Sequence, residues 1–109
     1  MNRSYVGDRA GTGRAVRIID GVGGPTRWLD PRPSQRLRNH SPDGFEWGYA
    51  GSGPAQLALA IVLDVYPEEI AQRFYQDFKE AFIARADKAG FTIQEEDVRQ
   101  FIQGRIACL

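Results

Sequence analysis

The stretch FEWGYAGSGPAQLALAIVL, residues 45–63, decides how the rest of the chain is read. Its first five residues alternate aromatic with small or polar side chains, which is the period of a strand. Phe45, Trp47 and Tyr49 are therefore expected on one face, with Glu46 and Gly48 on the other. From Pro54 onward there is almost no polar face: Leu57, Ile61 and Val65 form one stripe, while Leu59, Val62, Leu63 and Tyr66 cover much of the rest. A helix that is apolar all round is a buried helix. Pro54 suits a first helical turn, where its missing N–H would have had no partner. Gly51 and Gly53 permit backbone angles that other residues resist. The Gly-Ser-Gly turn thus joins an aromatic strand to a central helix.

On the N-terminal side, SYVG, AVRIID and TRWL read as short strands separated by the turn-rich DRAGTGR and GVGGP. DPRPSQRLRNHSPDG is polar and holds three prolines, so it reads as a long loop or a segment ordered by a partner. On the C-terminal side, PEEIAQRFYQDFKEAFIARADKAG repeats Ile70, Phe74, Phe78 and Phe82 at helical spacing. Glu68 and Glu69 favour the positive end of its dipole, and Gly90 reads as its C-terminal cap. FTI is a short strand or a lead-in, and QEEDVRQFIQG a last helix with Val98, Phe101 and Ile102 inward, followed by the tail RIACL. The expected fold class is α+β, a small N-terminal antiparallel sheet packed with two to three C-terminal helices. It forms one domain over residues 1–109, β-rich over 1–49 and helical over 54–105.

Composition narrows the function classes. One cysteine, Cys108, and one histidine, His40, leave no soft ligand set for zinc and no intramolecular disulfide. No apolar run approaches the ~20 residues of a membrane span, and the first residues lack the apolar centre of a signal peptide, so a cytoplasmic protein is expected. The formal net charge is zero, but residues 1–44 carry eight arginines against four aspartates while the remainder is net acidic. Zero net charge makes nucleic acid an unattractive partner. Twelve arginines against two lysines fit forked binding of phosphate or carboxylate, and a high-GC coding sequence would give the same bias.

Four constellations invite a chemical reading. The AGSGPAQ turn presents N–H groups at a helix start, as anion sites do, yet it lacks the lysine and Ser/Thr of a P-loop, and close packing of strand on helix explains its glycines equally. The aromatic row can stack a base or simply fill the core. RLRNHSPDG gathers Arg36, Arg38, Asn39, His40 and Ser41 in a segment too polar for the core, which suits either ligand binding or a solvated turn. Phe78, Lys79, Phe82 and Arg105 bring aromatics and cations from two elements, although phenylalanines at this spacing also suit the core. No carboxylate is evident to orient the single histidine beside Ser41 or Ser52, so no hydrolase triad is expected, and no enzyme activity or cofactor is implied.

Residues 39–63, NHSPDGFEWGYAGSGPAQLALAIVL, followed by YQDFKEAFI, resemble a family of small phage and bacterial proteins known as a domain of unknown function. The layout is similar to that of the Thoeris anti-defence sponge proteins of phages. That resemblance implies a homodimer or higher homo-oligomer that binds a cyclic ADP-ribose isomer, and in some members cyclic oligonucleotides, without cleaving it. It implies a pocket at a dimer interface built from Phe78, Lys88, which stands where an amide would be expected, and Arg105. Arg36 and Arg38, with Asn39 and Ser41, are the candidates for a second phosphate site. A different class of function, a small inhibitor or adaptor acting on a host defence complex through its acidic helical surface, is the alternative.

Overall fold

The structure, a computed structural model, describes residues 2–9, 15–21 and 23–109. The expected DRAGTGR and GVGGP turns fall partly on residues 10–14 and 22, outside the described residues. The elements run β1 (Arg3–Asp8), β2 (Val16–Asp20), β3 (Thr26–Trp28), α1 (Arg32–Leu37), α2 (Ser52–Val65), α3 (Glu68–Phe78), a π-helical turn (Lys79–Ile83), β4 (Gly90–Gln94) and α4 (Glu95–Ala107).

The four strands form one antiparallel sheet in the order β3-β2-β1-β4. Alternation sets its inward face: Tyr5, Val16, Ile18 and Ile93 are buried. They join α2 in a single hydrophobic cluster. Every residue of α2 from Gly53 to Val62 is buried, as its unbroken apolar surface requires. The fold is thus α+β, and the strand expected at FTI is β4, paired with β1 across the whole length of the chain. Gly90 opens that strand rather than capping a helix.

Three further expectations are corrected. FEWGY is not a strand: residues 44–47 lie outside the sheet, and Gly48 turns the chain at φ +87°. The turn separates the aromatics, leaving Phe45 and Trp47 in the core and Tyr49 46% exposed. Gly53 is needed for a close approach, since a Cβ there would lie 2.6 Å from Cβ of Glu46. The long polar segment is not all loop, because Arg32–Leu37 is helical. Pro31 occupies the N-cap position and Pro33 the first turn, where proline lacks nothing a helix needs, and Asp30 Oδ1 accepts the Arg32 N–H at 2.9 Å. The helix expected through residue 90 is α-helical only to Phe78. A π-turn follows, closed by the Ala84 N–H donating to the Lys79 carbonyl at 2.9 Å.

The last helix is as expected, with Val98 and Ile102 buried, and it carries on through most of the tail. Gln94 and Asp97 form a reciprocal capping box at its start. Sheet and helices are tied by charge at one edge. Tyr5 Oη donates to Asp64 Oδ2 at 2.7 Å and Arg3 Nη1 reaches the same oxygen at 3.0 Å. Burial, then the Asp64 carboxylate, pushes the Tyr5 phenol well above the usual tyrosine range. Tyr5→Phe leaves the ring packing intact but removes a charge-assisted hydrogen bond, and equilibrium urea unfolding should show a loss of about 1.5 kcal/mol. Among the described residues no helix is long and apolar enough to cross a membrane.

Candidate functional site

The π-turn controls what surrounds Arg105. A π-turn inserts one residue into the helical ladder, rotating everything after it, and such turns gather at functional sites. Here Phe82 stacks on Phe78 at 4.8 Å, and both meet Phe101 of α4 edge-on at 5.6 and 5.9 Å. The guanidinium of Arg105 lies 5.1 Å from the Phe101 ring centre, and its Nε is 3.7 Å from Asp77 Oδ2, an ion-pair distance too long for a hydrogen bond. Beside it opens a cleft of about 320 Å³ lined by Asp77, Glu80, Ala81, Arg85 and Arg105. Arg85 has no carboxylate within ion-pair distance among the described residues.

Of the residues expected to form this pocket, only Arg105 lines it. Phe78 is 0% exposed, so its ring is part of the core and offers no face to a ligand. Lys88 lies against Gly48, where its carbonyl accepts Arg9 Nε, and it does not line the cleft. The structure brings in Arg85, Asp77 and Glu80 instead. Sequence spacing could not single out Arg85, because its direction depends on the extra residue of the π-turn.

The other expected group sits where the end of α1 meets α2 and α3. Arg36, Arg38 and Asn39 are exposed, and Ser41 is half-buried. Beneath them Gln56, fully buried on α2, makes a staple. Its Oε1 accepts the backbone N–H groups of His40 at 2.8 Å and Ser41 at 3.0 Å. Its Nε2 donates to Ser34 Oγ at 2.9 Å, which donates in turn to the Pro31 carbonyl at 2.8 Å. The signal for Gln56 in the sequence is its lone amide in so apolar a helix, which marks a buried polar contact. His40 Nε2 lies 2.6 Å from the Tyr75 hydroxyl, which also accepts from Gln76 Nε2 at 3.2 Å. Burial, then the charges of Arg38 and Lys79, hold the His40 imidazolium below the usual histidine range.

Fold and site together define a small α+β domain with an arginine-lined cleft beside a π-turn. The model of the family described as "Family of unknown function (DUF6166)" matches residues 5–104, and the chain belongs to that family. No curated protein and no solved structure matches it.

Proposed function

We propose that the protein is a non-catalytic binding protein that captures a phosphate-bearing nucleotide in the cleft between the π-turn and α4. The supporting observation is the pairing of Arg85 and Arg105 on one cleft of about 320 Å³, at the lower end of small-ligand site volumes. Two guanidinium forks suit a pyrophosphate or phosphodiester, and the carboxylates of Asp77 and Glu80 beside them suit ribose hydroxyls or an exocyclic amine. A second copy of the chain would close the open side of the cleft in a homodimer. The finer reading, a phage anti-defence sponge that sequesters a cyclic ADP-ribose isomer in the host cytoplasm, belongs to this proposal and draws on the resemblance at residues 39–63.

The test is a thermal-shift and native-mass screen against cyclic ADP-ribose isomers and cyclic di- and trinucleotides. A saturable shift with the ligand recovered intact is expected. Arg85→Ala and Arg105→Ala should each weaken it by about tenfold or more while leaving Tm nearly unchanged, since each removes charge-assisted hydrogen bonds from an exposed side chain. A protein that cleaves the ligand, or binds nothing in the panel, overturns the proposal.

A specific observation favours a second reading, an inhibitor or adaptor that docks on protein. Trp28 is 60% exposed on the edge strand β3, and it lines two clefts of about 280 and 360 Å³. An exposed aromatic on an unpaired edge is a docking feature. A pull-down that loses its host partner on Trp28→Ala, from a protein that ignores every nucleotide, would establish it.

A further inference from the structure

The sheet has an edge at β4 and an edge at β3, and the chain treats them differently. The Gly21 N–H donates to the Asn2 carbonyl at 2.7 Å, so alternation turns Ser4 and Val6 toward β2, Tyr5 and Gly7 toward β4, and Phe91 and Ile93 back toward β1. Gly90 and Gln94 therefore face outward on β4, and both are capped from within the chain. The Gly90 N–H donates to the Asp87 carbonyl at 3.0 Å and the Gln94 N–H to Asp97 Oδ2 at 2.9 Å. On the other edge, the Leu29 N–H donates to the Val16 carbonyl at 2.8 Å and the Asp20 N–H to the Pro25 carbonyl at 3.1 Å. Pro25, Arg27 and Leu29 thus face β2, and the N–H and C=O groups of Thr26 and Trp28 point away from the sheet. Thr26, Arg27 and Trp28 are all exposed. Pro25 does not blunt this edge, because its missing donor lies on the β2 side. Alternation also puts Arg27 and Leu29 on the inner side of the sheet, with Ile18. There they line a cleft of about 280 Å³ whose other apolar walls are Pro33 of α1 and Ala60 and Leu63 of α2.

We infer that β3 is a receptor edge, which takes an extended peptide of a partner protein as an added strand and seats one of its apolar side chains in the cleft between β3, α1 and α2. The backbone groups of Thr26 and Trp28 supply the ladder bonds, and successive side chains of the added strand fall alternately beside Trp28 and into the cleft. A second copy of this chain does not fit the same place. Its own β3 would offer Arg27 and Leu29 on the inner side; Leu29 is 8% exposed and committed to its own core, and Arg27 would bring a like charge against the Arg27 already lining the cleft. The Arg27 guanidinium is also weakly held, with Asp20 at 3.8 Å, while Asp20 is shared with Arg3 at 3.4 Å. The peptide that fits therefore has an apolar residue at one inward position, a carboxylate at the next inward position for Arg27, and no proline between them. This inference rests on the reading of Trp28 as a protein-docking feature and gives that docking its backbone geometry. It is independent of any nucleotide at Arg105.

The probe is a displayed library of random short peptides selected on the purified protein, with the enriched sequences then synthesised. Enriched peptides should alternate apolar residues, carry an acidic residue in phase with them and lack internal proline. N-methylation of alternate amides should abolish binding, while N-methylation of the intervening ones should not, and binding should slow exchange of the Thr26 and Trp28 amides. Thr26→Pro deletes an outward donor without touching a β2–β3 bond, and it should weaken a selected peptide by about tenfold. Should that variant misfold, the N-methylated peptides carry the same test on the wild-type protein. Peptides that are lost on Trp28→Ala but indifferent to Thr26→Pro and to N-methylation would leave protein docking standing and overturn strand addition. Enrichment of no peptide overturns it too, as does a wild-type dimer that Thr26→Pro dissociates, because the edge would then belong to a second copy.

Discussion

Leu57→Ala is expected to lower the unfolding free energy by ~2–5 kcal/mol, toward the upper part of that range. The cost of a large-to-small change depends on how far the surroundings can close over the cavity. Leu57 is fully buried, and α2 packs against α1, α3, the π-turn and α4, so no free side is available from which the helix could settle inward. The strands contribute Tyr5, Val16, Ile18 and Ile93 to the same cluster. For a domain whose total stability is ~5–15 kcal/mol, such a loss moves the denaturant midpoint substantially. Ile106→Ala, on the exposed end of α4, is the matched control and should cost little. Similar small losses at both positions would mean that α2 is not the centre of the core.

The part of the fold that was legible in the sequence is the part governed by local periodicity. The unbroken apolar surface from Leu57 to Val62 allowed no other placement than the interior, and Val16 and Ile18 alternate as a half-buried strand must. What local periodicity does not show turns on single residues whose effect depends on position. Pro31 and Pro33 looked like helix breakers, yet both lie at a helix start, the one place proline is tolerated. Gly48 looked like the polar-face residue of a strand, yet its positive φ ends the alternation and expels Tyr49. The pairing of β4 with β1 is a contact between the two ends of the chain, and no local window contains it.

The candidate sites were legible in outline only, for the same reason. Arg105 and the RLRNHS segment stood out by composition. Their partners did not, because Arg85 lines the cleft from beyond a π-turn and Tyr75 meets His40 from α3. Phe78, which the resemblance put in a ligand pocket, lies in the core instead, where Phe82 and Phe101 pack on it.

Gln56→Leu is expected to cost about 3 kcal/mol, although leucine is the more apolar residue and α2 the most apolar helix. The reason is that the amide ties α2 to the backbone of residues 40 and 41, and it also holds Ser34. Leucine leaves the Ser41 N–H without a partner, leaves the His40 N–H only its bond to the Arg38 carbonyl at 3.1 Å, and takes the donor away from Ser34 Oγ, which keeps its own bond to the Pro31 carbonyl. If these groups stayed buried, the stranded Ser41 N–H alone would cost ~1–3 kcal/mol and the two weakened contacts would add to it, a large fraction of a small domain's stability. The segment from Arg38 to Gly44 is largely exposed, however, so it can lift and let water satisfy the N–H groups, which caps the cost near that of detaching the loop. Two readings distinguish this from simple misfit in the core. The amides of His40 and Ser41 should exchange far faster than those of α2 itself. Burial is the leading cause of the low His40 pKa, so release of the loop should also move the His40 midpoint upward, toward 6.5. The sign fixes the pH dependence of the wild type as well. A folded-state histidine pKa below its unfolded value means that the unfolded chain binds the proton more tightly. The His40 contribution is therefore present above the ordinary histidine range and is lost as pH falls through it. In Gln56→Leu that acid sensitivity should flatten. A variant as stable as the wild type, with both amides still protected, would show that the loop is held by its own turns and not by Gln56.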